Sequence, residues 1–203
     1  MDYRSYLIEE ACRLASYIAL YRRLKERRAD RTSEMNLAPA FFSLVFDALN
    51  SAIIHQVNNL FDDKAECGIF NFLKFIENNR DIFRRDRLEC RVKHPDAQWI
   101  SEKKPITFKM IQEDRKSIRN LDCLQSVKTR RDKYYAHFDK KYFFDRDRLE
   151  GDAPITWRDF NQVLALLEEI INRYSSSYDG QLFPLEPTNI KDVDYLLDRL
   201  HKS

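Results

Sequence analysis

Glycine is scarce, at 3 in 203 residues, and that scarcity excludes folds whose chemistry depends on glycine-rich phosphate loops. No G-x-G-x-x-G run and no P-loop run occurs, so dinucleotide binding and P-loop nucleotide hydrolysis fall away. Cysteine is limited to Cys12, Cys67, Cys90 and Cys123, far apart in the chain, with no C-x-x-C pair and no histidine at ligand spacing. Neither a zinc site nor any other metal or cofactor is therefore expected. An excess of charge of one sign is also missing: 35 Lys and Arg against 33 Asp and Glu give a net charge of +2. A nucleic-acid partner cannot be argued from that balance and must rest on local clusters. The chain opens on charged residues without an apolar leader, and no run of about 18 uncharged apolar residues appears. The expectation is a cytoplasmic chain with reduced thiols and no membrane partner.

What is present is 43% hydrophobic and 33% charged residue content, arranged in stripes of three and four spacing. Tyr3, Leu7, Ala11, Leu14, Ile18, Tyr21 and Leu24 predict an amphipathic helix over residues 2–29, broken by Arg31-Thr32-Ser33-Glu34. A more hydrophobic run through Phe41, Phe42, Val45, Leu49, Ile53, Val57 and Leu60 predicts the central core helix, with Pro39 in its first turn. Phe70 to Phe83 reads as a short aromatic helix continuing weakly to Val92, where His94-Pro95 ends it. Residues 94–105 read as a surface loop. Thr107 caps a third major helix, whose broken stripe of Phe108, Ile111, Ile118, Leu121, Leu124 and Val127 runs on to residues 131–137. Asp145 to Pro154 reads as a polar turn. Thr156 caps a fourth helix through Trp157, Phe160, Val163, Leu167, Ile170 and Tyr174, stopped by Ser175 to Gly180. Val193, Leu196, Leu197 and Leu200 signal a final docking helix within 188–201. An all-α bundle follows, read as one domain over 1–203.

One segment carries a plausible chemical pair. Arg131-Asp132-Lys133-Tyr134-Tyr135-Ala136-His137 joins a histidine, able to exchange protons near neutral pH, to an arginine, able to hold a phosphate with a planar fork of donors. Together these suffice for metal-free phosphodiester cleavage. Arg131 continues an apolar stripe, so its charge must face a cleft, a partner or an acidic group, with Asp132 and Asp139 the local candidates. On an ideal helix His137 lies about 120° from Arg131 but within about 20° of Arg130, so either arginine is a candidate. A helix that ends or distorts near Ala136 would bring His137 round towards Arg131.

Arg131-Asp132-x-x-x-x-His137, at the end of a helix in an all-α chain, resembles the HEPN signature: an arginine followed by a polar residue, a short spacer and a histidine. The helix leading to Leu60-Phe61-Asp62, the Arg-Asp-Lys-x-x-Ala-His-x-Asp run at 131–139 and the late Asp192-Val193-Asp194-x-Leu196-Leu197 run resemble the AbiU-like abortive-infection branch. The resemblance covers most of residues 36–200, with a HEPN-like core over about 36–180. It implies a homodimeric, metal-independent endoribonuclease in which arginine and histidine from two subunits form one composite cleft, supported by Asp132. It also implies RNA as substrate, a defence or toxin role, and an antitoxin or regulatory protein as a further partner. Lys133, Tyr134, Lys140 and Lys141 are then the neighbours expected to touch RNA.

Plainer readings stand beside these. Arg131 and His137 also fit a salt bridge and a helix C-terminal cap, where cations face the dipole favourably. Tyr134 and Tyr135 fit packing as well as base stacking. His55, among Ile53, Ile54 and Val57, fits a hydrogen-bonded core or interface histidine. The basic run Arg22 to Arg28 fits a solvated face or a guide for RNA phosphates, and Arg84-Arg85-Asp86-Arg87 is weighed the same way. A catalytically silent HEPN-like module, binding RNA, nucleotide or a protein partner, is the alternative to the enzyme, and a purely structural helical dimer is a third reading.

Overall fold

The computed structural model describes residues 3–92, 99–137 and 139–201, the side chains of Phe143 and Arg146 excepted. Among these residues the chain is all helix, as its periodicity predicts, with no strand. The α-helices are α1 (Tyr3–Asp30), α2 (Thr32–Met35), α3 (Pro39–Phe61), α4 (Ile69–Asn78), α5 (Arg85–Val92), α6 (Trp99–Glu102), α7 (Phe108–Arg119), α8 (Cys123–Arg130), α9 (Lys140–Phe143), α10 (Arg146–Asp152), α11 (Trp157–Tyr178) and α12 (Lys191–His201). A 3-10 turn covers Arg80–Phe83, and a π-helical turn covers Arg131–Ala136. His94-Pro95, the expected end of α5, lies outside the described residues.

Several boundaries differ from the periodicity, each for a local reason. The helix expected to run from Thr107 to the motif is two helices, parted at residues 120–122, where Asn120 leaves helical geometry and caps α7. Asn and Asp side chains compete for backbone groups and favour such breaks. The expected polar turn at 145–154 contains α10, capped by the Asp145 carboxylate accepting from Arg148 N. Part of the expected loop at 94–105 forms α6, whose Ile100 is buried. The helix expected to stop at Ser175 continues to Tyr178, because Ser176 and Ser177 hydroxyls donate to the Arg173 carbonyl instead of opposing the helix. Gly180 then turns the chain at φ +80°, where a Cβ would lie 2.8 Å from the Trp99 ring, so only glycine fits there without strain.

Contacts divide the chain into two compact units, residues 1–11, 59–124 and 156–185, and residues 12–58, 125–155 and 186–203. The first unit packs α4, α5, α7 and α11 around Ile69, Leu73, Ile76, Ile111, Ile118, Val163, Leu167 and Ile170. Thr107 accepts from Met110 N, and Thr156 forms a reciprocal capping box with Asp159, as their places before the apolar runs predict. The buried Asp114 carboxylate accepts from the Tyr174 hydroxyl at 2.6 Å and pairs with Arg173. Burial pushes the Tyr174 phenol up to about 12, so it remains the donor.

The second unit contains the motif. Leu24, Met35, Phe42, Leu49, Val193 and Leu197 form one cluster, which docks α12 onto α1, α2 and α3. A row of cations at i, i+4 and i+8 secures that docking: Arg23 and Arg27 both bind Asp194, and Arg31 binds Asp198 and Glu34. Helix α3 is long and apolar enough, by length and composition, to cross a membrane. Its apolarity has two destinations: Leu49, Ile53, Ile54 and Val57 are buried, while Phe41 and Leu44 in its first turns are 56% and 68% exposed.

Glu34 joins this docking. Its carboxylate accepts from Ser33 Oγ at 2.6 Å and lies 2.6 Å from His201 Nδ1. The Ser33 hydroxyl and its own backbone N–H, followed by His201 and Arg31, hold it down to about 2 from the ordinary 4.5. A depressed carboxylate contributes stability above its unfolded value and loses it as pH falls towards its folded value. The urea midpoint is therefore expected to fall from pH 5 to pH 2 in the wild type, and to fall less in Glu34→Gln, as equilibrium unfolding at each pH would show.

Candidate functional site

The motif begins where α8 is anchored. Val127 is buried, and so is Arg130, at 6% exposure. Arg130 Nε donates to the Ala153 carbonyl at 2.7 Å, and its two terminal nitrogens grip both oxygens of Glu150 at 3.1 and 2.6 Å. This bidentate fork ties the end of α8 to α10. Of the two adjacent arginines, Arg130 therefore has all three guanidinium nitrogens engaged by structural acceptors. Arg130→Met leaves the largely exposed Glu150 to water, but strands the carbonyl of fully buried Ala153. About 1–3 kcal/mol of stability should be lost on that account, while Glu150→Gln should cost less than about 1 kcal/mol; urea unfolding of both variants measures the difference.

Immediately beyond, the helix widens into the π-turn Arg131–Ala136 and ends at His137 with φ −121° and ψ −2°. Such widened turns recur at functional sites. The two tyrosines account for the widening here. Tyr134 packs on Tyr142, Leu149 and Ala153, whereas Tyr135 lies 6.0 Å from the His55 ring of α3, with the two tyrosine rings edge to face at 5.0 Å. The turn accommodates both anchors and leaves the chemical residues towards water. Burial, with the Asp47 charge adding to it and Arg130 opposing, pushes the Tyr135 phenol up to about 12.

Arg131 is partly exposed and is oriented by its neighbour. Its Nε and Nη2 lie 2.6 and 2.5 Å from one Asp132 oxygen. Asp132 is thus an acidic partner of Arg131, while Asp139 accepts from Lys141 N to cap α9 and lies 3.7 Å from Lys133 Nζ. His137 stands exposed just past the last residue of the turn. One turn therefore carries Arg131 at its start, with a carboxylate holding the guanidinium, and His137 at its end.

The flanking lysines differ from one another. Lys133 and Lys140 are exposed. Lys141 pairs with Asp152, whose carboxylate also accepts from Tyr142 OH at 3.1 Å, so its charge serves the α9–α10 packing. His55 is half-buried, with its ring tilted against that of Tyr135. Sequence reasoning missed Glu150 and Asp152, the carboxylates that sort the basic residues, because their segment reads as a turn. The capping pattern Asp145-x-x-Arg148 is the signal that α10 was there. Among the described residues no group of three His, Cys, Asp or Glu side chains is placed to hold a metal ion.

The family model HEPN_AbiU2, described as AbiU2, matches residues 2–198. That span takes in the N-terminal basic helix as well as the motif turn. No curated protein and no solved structure matches the chain.

Proposed function

This chain belongs to the AbiU2 family of HEPN domains, and from that premise we propose that it is a metal-independent endoribonuclease, acting as a homodimer in an abortive-infection or toxin role. The observation that carries the reading is the π-turn, which begins with Arg131, held by Asp132, and ends at exposed His137. In the reaction, one His137 removes the proton of a ribose 2′-hydroxyl, whose oxygen attacks the adjacent phosphorus. The bond to the 5′-oxygen breaks, and the His137 of the second subunit protonates that oxygen as it leaves. Arg131 neutralises charge gathering on the non-bridging oxygens. The products are a 2′,3′-cyclic phosphate and a 5′-hydroxyl.

A second copy has a surface to use. Phe41, Leu44 and Ala48 form an exposed apolar stripe on α3, with Leu37 just before it at 65% exposure. By helix geometry His55 continues that face, within about 40° of Phe41, and His55 touches Tyr135 of the motif turn. Exposed apolar surface of this kind is what association covers.

The silent-module reading rests on one contact: Asp132 occupies donors of Arg131 that a phosphate would need. A single experiment separates the two. Purified protein is incubated with mixed RNA in excess EDTA, and the ends are scored. Cyclic phosphate ends, absent when the substrate is DNA, support the nuclease; bound but intact RNA sinks it in favour of the silent module.

A further inference from the structure

Two rows of cations at the C-terminal end of α1 and just beyond it have different fates. Arg23, Arg27 and Arg31 are neutralised by Asp194, Asp198 and Glu34. Lys25 and Arg28 point elsewhere, on the row Tyr21, Lys25, Arg28, Thr32 at four, three and four spacing, and both are exposed. That row forms one wall of a cleft of 440 Å³, whose other wall is the start of α3, including Ser43 and Phe46. A cleft of this size falls in the range that holds small ligands.

Its chemistry is divided between rings and charge. Tyr21 and Phe46 meet edge to face at 5.5 Å, and Lys25 Nζ lies 5.5 Å from the Tyr21 ring. Two cations, Lys25 and Arg28, and one carboxylate, Asp47, line the cleft. An aromatic face beside paired cations is the combination that holds a base by stacking and its phosphate by charge. Asp47 and Tyr21 also act on the ionisation of Tyr135, which places this end of the cleft near the motif turn.

We infer that the cleft between α1 and α3 is a nucleotide subsite, in which Lys25 and Arg28 hold a phosphate and Tyr21 and Phe46 hold the base. The inference deepens the ribonuclease reading, on which it rests for the idea that the nucleotide belongs to an RNA strand passing the motif turn. The same chemistry would accept a free nucleoside monophosphate, and the test distinguishes the two.

Binding is read without cleavage, using a fluorescein-labelled 2′-O-methyl RNA ten-mer, which lacks the attacking hydroxyl, and unlabelled nucleoside monophosphates. Fluorescence anisotropy is followed from low to moderate salt for the wild type, Lys25→Ala/Arg28→Ala and Lys109→Ala/Lys116→Ala. The last pair removes the same charge from exposed positions on α7, and circular dichroism confirms that both variants fold. The subsite variant should bind the ten-mer about tenfold more weakly, with a salt slope smaller by roughly 1 to 1.5 units, while the α7 variant matches the wild type. Monophosphate binding that depends on Lys25 and Arg28, without ten-mer binding, would identify a free nucleotide as the occupant. Binding of neither probe, or equal losses in the two variants, would overturn the subsite. Subsite-dependent binding by a protein that leaves ordinary RNA uncut would remove the nuclease and leave the subsite standing.

Discussion

His137→Ala is expected to lower RNA cleavage by about 10²- to 10⁴-fold, the range that a positioned acid or base contributes. The loss should be at the upper end, because a symmetric composite site would lose its acid and its base together. Arg131→Ala should cost about 10²- to 10³-fold, as removal of one preorganised donor does at an oxyanion. Arg131→Lys should recover only part of this, since an ammonium is a point charge without the planar fork. Asp132→Ala separates two roles for the carboxylate. If it orients the guanidinium, cleavage falls; if it withholds the guanidinium from phosphate, cleavage rises. Both arginine variants should lose less stability than Arg130→Met, because Arg131 is already partly exposed, whereas Arg130 is buried. Initial rates on a single-stranded RNA with EDTA present test all of these, and a His137→Ala protein that still cuts at the wild-type rate would end the mechanism.

That contrast between adjacent arginines marks how far periodicity alone reaches. The helical class, the long stripes of α1, α3 and α11, and the caps at Thr107 and Thr156 are local properties, and local properties are legible. The assignment of Arg130 is not local. It depends on Glu150 and the Ala153 carbonyl, contributed by a short helix whose sequence is mostly charged and whose stripe contains only Leu149 and Ala153. Helices this short gain their stability from packing rather than propensity, so only the Asp145 cap announces this one. The π-turn is hidden for a related reason: it follows from Tyr134 and Tyr135 having different tertiary partners. The periodicity allows a helix that ends or distorts near Ala136, but it does not say that the form is a π-turn. The second row of cations on α1 is likewise visible as a basic run, whereas its separation into a paired row and an open row appears only once α12 is docked.

Phe41→Asp/Leu44→Asp should convert the proposed dimer to a species of 24.4 kDa, the mass of one chain, and remove cleavage with it. Both side chains are more than half exposed in the single chain, so their replacement strands no core and should leave helix content and the urea midpoint near wild type. In a two-fold interface each substitution occurs twice and faces its own environment reversed. Four carboxylates would then have to be dried in one apolar patch, at a cost of several kcal/mol for the assembly. Loss of activity without loss of stability is the signature that separates an interface from a core. Sedimentation at several protein concentrations, run beside the cleavage assay, reads both quantities. Should the doubly substituted protein sediment as one chain and still cut RNA, each subunit carries a complete site. Should the wild type itself sediment as one chain at assay concentration while cutting RNA, the second histidine must be replaced by another acid. Lys133 would then be the group to substitute, because it is exposed on the same turn as Arg131.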